Sequence, residues 1–193
     1  MKDKTLIAQF SPKNITAREI ILLVCFGLGV PLVILTFGNT LGIGTELVSS
    51  SALQLMLVLL VSMAIVTPLH EGMHGLFFKI FTGKAIFGAT FRTKLGLVFW
   101  ASSPDSLIPR VRFQIIALAP QALTVLFLLV AVLMPLPDKM AYTLLIMAAL
   151  NLSGGCIDLW GAMWLRNFPK SCLIEDTKDG CNVFIVRNGY GEV

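Results

Sequence analysis

Four apolar segments, each long enough to cross a lipid bilayer, constrain this chain more than any other feature. They run roughly over Ile20–Phe37, Ser51–Phe81, Phe113–Pro135 and Lys139–Leu165. A helix rising 1.5 Å per residue needs about 20 residues to span a hydrocarbon core of about 30 Å. Lipid offers no partner for backbone N–H and C=O groups, so each segment is expected to satisfy its own as a helix. The second and fourth are longer than required and are expected to tilt or to run into the interface. Only 13% of the 193 residues are charged, against roughly 25% in soluble domains. The expected fold is an all-α membrane protein, one domain of four transmembrane helices embedded in the bilayer. The first apolar run follows a polar, basic stretch without a small-residue cleavage site, so no cleavable signal peptide is expected.

Lysine and arginine orient the four spans. The N-terminal segment, the stretch from Lys79 to Arg112, and the segment from Arg166 onward hold fourteen of the fifteen basic residues, with Lys139 the exception. In a four-span topology these regions share one side. The positive-inside rule therefore assigns both termini to the cytoplasm of a cell-membrane protein. The basic residues form no aromatic-interleaved patch, which argues against a nucleic-acid partner.

The loop between the second and third helices is not featureless. Lys84–Phe91 and Leu95–Ala101 are rich in β-branched and aromatic residues and read as a cytoplasmic β-hairpin turning at Arg92-Thr93-Lys94. A small second hairpin is expected in the C-terminal tail, Ser171–Glu175 and Cys181–Arg187, turning at Lys178-Asp179-Gly180. The four cysteines include no C-x-x-C pair, so a cysteine zinc site is not expected, and tail cysteines on the cytoplasmic side would be reduced thiols.

Within the second apolar segment stands His70-Glu71-Gly72-Met73-His74, an H-E-x-x-H motif built from the only two histidines of the chain. On a helix, residues four apart share a face with β-carbons about 5–6 Å apart, so both imidazoles can reach one Zn²⁺ at about 2.0–2.1 Å. Glu71 follows by about 100° of rotation and can act as general base toward a water beside the metal. Two histidines could instead hydrogen-bond neighbouring helices. Glu71, however, also needs a reason to stand at membrane depth, where carboxylates are costly.

A catalytic zinc takes three protein ligands, and no third histidine exists. Asp158 lies as far into the fourth segment as His70 does into the second, and is the expected third ligand. The bland alternative is a helix-end carboxylate paired with Arg166. Cys156 is the runner-up ligand, followed by Glu175 or Asp176. Asn151, two turns before Asp158, is expected either to donate to an oxyanion or to bridge helices. Ser153-Gly154-Gly155 is expected to break the helix or to pack closely against another. Gln121 reads as packing glue rather than a catalyst. Thr67-Pro68 reads as a kink. Arg110 and Arg112 read as interfacial anchors, and Trp100, Trp160, Trp164 and Phe168 as interface-belt aromatics.

These residues resemble those of a bacterial family of multi-pass proteins described as zincin peptidases and, more remotely, of the site-2 protease group of intramembrane metalloproteases. The resemblance covers roughly Ser51–Leu165: the H-E-x-x-H helix, an intervening helix, and a helix bearing Asn151 and Asp158. It implies His70, His74 and Asp158 as ligands of one zinc ion and Glu71 as the base. The site-2 group usually has a proline between the asparagine and the aspartate and a glycine after the aspartate. Here Ser153-Gly154-Gly155 and Leu159 stand in those places.

The function expected is zinc-dependent intramembrane peptide hydrolysis near the cytoplasmic face, with a membrane protein or peptide as substrate. The alternative is a non-catalytic metal-binding scaffold or regulator. A zinc transporter fits less well, because no second span carries a ladder of polar ligands. Membrane di-iron hydroxylases are excluded by the histidine count.

Overall fold

The computed structural model describes residues 3–11, 16–43, 51–92, 96–177 and 180–187. In chain order the elements are β1 (Asp3–Phe10), α1 (Ala17–Thr40), α2 (Ala52–Thr82), β2 (Ile86–Arg92), β3 (Gly96–Ser102), β4 (Leu107–Pro109), α3 (Arg110–Leu118), α4 (Gln121–Leu133), α5 (Asp138–Gly154), α6 (Cys156–Trp164), a 3₁₀ turn (Leu165–Asn167), β5 (Leu173–Thr177) and β6 (Gly180–Arg187).

Helix α2 has clear start and stop signals. Ser51 and Gln54 form a reciprocal capping box: the Gln54 N–H donates to Ser51 Oγ at 3.3 Å, and the Ser51 N–H to Gln54 Oε1 at 3.2 Å. At the other end Gly83 adopts φ +74°, and its N–H donates to the Lys79 carbonyl at 2.9 Å. A side chain would strain that left-handed cap. Pro68 is carried inside the continuous helix.

Among the described residues three helical stretches are long and apolar enough to cross a membrane: Glu19–Thr40, Ala52–Thr82 and Arg110–Leu133. The expected fourth span is a bent pair, α5 and α6, with a 41° angle between them. The break falls at Gly154-Gly155, inside the small-residue run of the sequence.

The chain divides into two compact units. One comprises residues 18–70 and 120–156. Its core is Val66, Phe127, Met147 and Ala148, with Leu123, Leu128 and Leu144 packed against them. The Ser153 hydroxyl donates to the Gly27 carbonyl at 2.7 Å, tying α5 to α1. Large apolar side chains such as Leu28, Leu32, Leu53 and Leu60 point outward, as lipid-facing residues do.

The other unit comprises residues 1–17, 71–119 and 157–193. It holds a four-stranded antiparallel sheet in the order β1-β6-β5-β4 and the separate hairpin β2-β3. Leu165, Cys172, Ile174, Cys181 and Val183 form one core beneath the sheet. Phe78, Ile108 and Ile116 form another. Burial raises the Cys172 thiol above its ordinary value and pushes that of Cys181 up to about 12.

Both expected hairpins are present, shifted by one or two residues; their turn residues Thr93, Lys94, Lys178 and Asp179 lie outside the described residues. An all-α core with two isolated hairpins understates the β content. The tail hairpin is the middle of a sheet whose edges, β1 and β4, come from distant parts of the chain. Three residues expected at the interface also have protein partners. Arg110 is buried, and its guanidinium donates to the carbonyls of Leu165, Arg166 and Phe168, satisfying the end of the 3₁₀ turn. The Trp164 ring lies 5.3 Å from Phe10 and 4.6 Å from Phe168, packed on the sheet core.

Candidate metal centre

His70 and His74 stand one turn apart on α2, each 8% exposed. The His70 Nδ1 lies 3.0 Å from Asn151 Oδ1, and the His74 Nδ1 lies 2.9 Å from the Ile116 carbonyl. Both partners are acceptors, so both Nδ1 atoms carry the proton. That makes Nε2 the atom of each ring able to ligate a metal, and the His74 Nε2 faces Asp158. Holding the far ring nitrogen on an oxygen is what orients metal-binding histidines generally.

Asp158 sits in the first turn of α6, just beyond the Gly154-Gly155 break. Its Oδ2 lies 3.5 Å from His74 Nε2. A tetrahedral zinc with bonds near 2.1 Å sets its ligand atoms about 3.4 Å apart, so this pair already has the spacing of one coordination edge. One ligand atom each from His70, His74 and Asp158 lies within 4.8 Å of the others. Two neutral imidazoles and a carboxylate are a donor set that suits zinc. Asp158, rather than Cys156, Glu175 or Asp176, completes the group found among the described residues.

Glu71 Oε2 accepts the backbone N–H of Ala101, in β3, at 3.0 Å. One turn later, Gly75 leaves the α2 surface bare, and the ring of Phe87 from β2 occupies the place a β-carbon would take. The hairpin is thus seated on the helix beside the glutamate. A cavity of about 640 Å³ lies between this hairpin and β5, lined by Trp100, Ala101, Asp105 and Asp176 among others. Burial pushes the Asp176 carboxyl up to about 6, opposed by hydrogen bonds from Ser102, Ser103 and Thr177.

Asn151 is fully buried. Its Nδ2 donates to the Pro120 carbonyl and to Thr124 Oγ1, both at 2.8 Å, while its Oδ1 holds His70. Of the two roles the sequence allowed, its contacts are those of the helix bridge, since both amide hydrogens are engaged with protein. Three partners of the motif were not legible beforehand: the Ile116 carbonyl, the Ala101 N–H and Gln121, which packs beside His70 at Gly155. The first two are backbone groups and carry no residue-type signal. Gln121 did carry one, a carboxamide in an apolar helix.

Comparison with curated proteins and with solved structures returns no match. Residues 63–173, more than half of the chain and the whole of this group, match one protein family. The chain belongs to the family described as "Putative zincin peptidase".

Proposed function

We propose that this protein is a zinc-dependent intramembrane peptidase, hydrolysing membrane-embedded or membrane-proximal peptide bonds near the cytoplasmic face. One observation carries the reading: three suitable ligand atoms gather within 4.8 Å beside a glutamate that directly follows the first ligand. The distribution of lysine and arginine supports a cytoplasmic location for both termini.

Held by His70, His74 and Asp158, a zinc ion supplies Lewis-acid polarisation of a carbonyl and lowers the pKa of water toward about 7. The remaining work falls to the chain. Asn151 and the Ile116 carbonyl keep both Nδ1 atoms protonated and both rings oriented. Glu71 accepts the Ala101 N–H on one oxygen, and a carboxylate has about four acceptor sites in all. It accepts a proton from water as the water oxygen bonds to the carbonyl carbon. It returns that proton to the amide nitrogen as the C–N bond breaks, leaving a carboxylate and an amine. A helical substrate hides its carbonyls in its own hydrogen bonds, so it must unwind locally to react.

Glu71→Gln tests this, because an amide of the same shape cannot take the proton. The zinc-loaded protein in lipid vesicles is mixed with a library of transmembrane peptides and the products are read by mass spectrometry. The parent should cleave and the variant should not, with zinc content equal in both. If the variant sustains cellular function as well as the parent, hydrolysis is wrong and the metal-binding scaffold takes its place.

A further inference from the structure

The sequence places Gln121 at the first position of an apolar helix, directly after Pro120. A carboxamide at such a site needs partners for both ends. Its Oε1 has one, the Thr124 hydroxyl at 3.2 Å. That hydroxyl also accepts an N–H from Asn151. It therefore spends its single hydrogen on Gln121 Oε1, which turns the NH₂ end of the amide away from Thr124. Nε2 is fully buried and has no hydrogen-bond partner among the described residues.

The place it faces is given by Gly155. A β-carbon there would collide with Gln121 Nε2 and would lie 3.1 Å from His70 Cε1. The bare glycine surface is thus where the amide and the His70 ring edge meet. Cε1 joins Nδ1, which is held by Asn151, to Nε2, the ligand atom. The unpaired donor stands beside the metal-facing edge of His70, at the end of the network His70–Asn151–Thr124–Gln121.

We propose that Gln121 is a catalytic residue whose Nε2–H donates to the carbonyl oxygen of the scissile peptide bond as negative charge develops there. This rests on the hydrolytic reading above. A buried donor with nothing to bind is unfavourable in the resting protein. It becomes an asset when an oxygen acquires charge, because a fixed donor needs no reorganisation at that moment. Asn151, the other buried amide beside His70, has both hydrogens committed. Gln121 has an Nε2 with none.

The test compares the parent with Gln121→Met, which keeps the volume and removes the donor, and Gln121→Glu, which replaces the donor with an acceptor. Each full-length protein in detergent is loaded with Co²⁺ and titrated with acetohydroxamate, followed by the visible absorption of the metal. Zinc affinity is read separately by chelator competition. Both variants should bind zinc like the parent, and Gln121→Met should bind acetohydroxamate about 10- to 100-fold more weakly, Gln121→Glu more weakly still. Apo Gln121→Met loses the unsatisfied donor together with the acceptor of the Thr124 hydroxyl, so the two effects offset and it should melt within a few degrees of the parent.

Acetohydroxamate affinity within twofold of the parent, with zinc affinity kept, overturns the assignment while the hydrolytic reading stands. Loss of zinc binding or of folding in both variants also overturns it, because Gln121 would then be supporting the ligands. A parent that binds no metal, or binds it without an open position for the probe, overturns the hydrolytic reading itself.

Discussion

Replacing Asn151 tests whether the buried polar network serves the metal or only the packing. Asn151→Leu keeps the branching and the number of heavy atoms at a fully buried position. It removes the acceptor that holds His70 Nδ1 at 3.0 Å and the donors to Pro120 and Thr124 at 2.8 Å each. Loss of such an outer partner typically costs 10- to 100-fold in metal affinity, which is about 1.4–2.8 kcal/mol. The apo protein should also lose about 1–3 kcal/mol, because the His70 Nδ1–H loses its buried acceptor, while the Pro120 carbonyl keeps the Leu123 N–H. Asn151→Asp separates the two effects. It keeps an acceptor for His70 and loses both donors, so stability should fall while zinc affinity stays near the parent's. The assay is chelator competition for affinity and thermal unfolding of the apo protein in detergent for stability. Equal zinc affinity in Asn151→Leu and the parent would refute the reasoning, whatever the melting temperature does.

Four further outcomes are expected. Asp158→Ala should lower zinc affinity by at least 100-fold in chelator competition, as loss of one of three ligands requires; unchanged affinity removes Asp158 from the metal site. Zinc at a hundred times its dissociation constant should stabilise the parent by about 2.7 kcal/mol, and this gain should vanish in His74→Ala. Burial raises the Asp176 carboxyl to about 6, so its contribution to apo stability is fully present below the unfolded value and is lost as pH rises through 6. Asp176→Asn should therefore match the parent near pH 4 and exceed it by about 2 kcal/mol at pH 8, read as a pH-dependent difference in Tm; a constant difference refutes this. Gly180 has φ +134°, and a β-carbon there would strike the Phe10 backbone. Gly180→Ala should thus cost about 1–3 kcal/mol and speed proteolysis of the tail strands.

The sequence by itself determined what depends on neighbours close in the chain. Apolar runs of membrane length became helices because lipid leaves a backbone no other partner. His70 and His74 share a face because 3.6 residues make a turn. The β-branched stretches around 84–101 pair with each other across a short connection. The glycine pair at 154–155 broke its helix as glycine does.

What only the tertiary structure decided involves groups far apart in sequence or without a residue-type signature. Strand β1 was invisible because Asp3–Phe10 becomes a strand only by pairing with Cys181–Arg187 at the other end of the chain. Arg110 looked like an anchor until the carbonyls of residues 165–168 arrived around it. Asp158, expected as third ligand from its matched depth, was set apart from Cys156, Glu175 and Asp176 only by standing 3.5 Å from His74. Gln121 looked like packing glue because its Thr124 bond is local, one turn along its own helix. Its empty donor beside His70 exists only because Gly155 lets a third segment close around both. Short-range geometry sets which side chains share a face; the direction in which a buried donor points is set by whatever the rest of the chain packs around it.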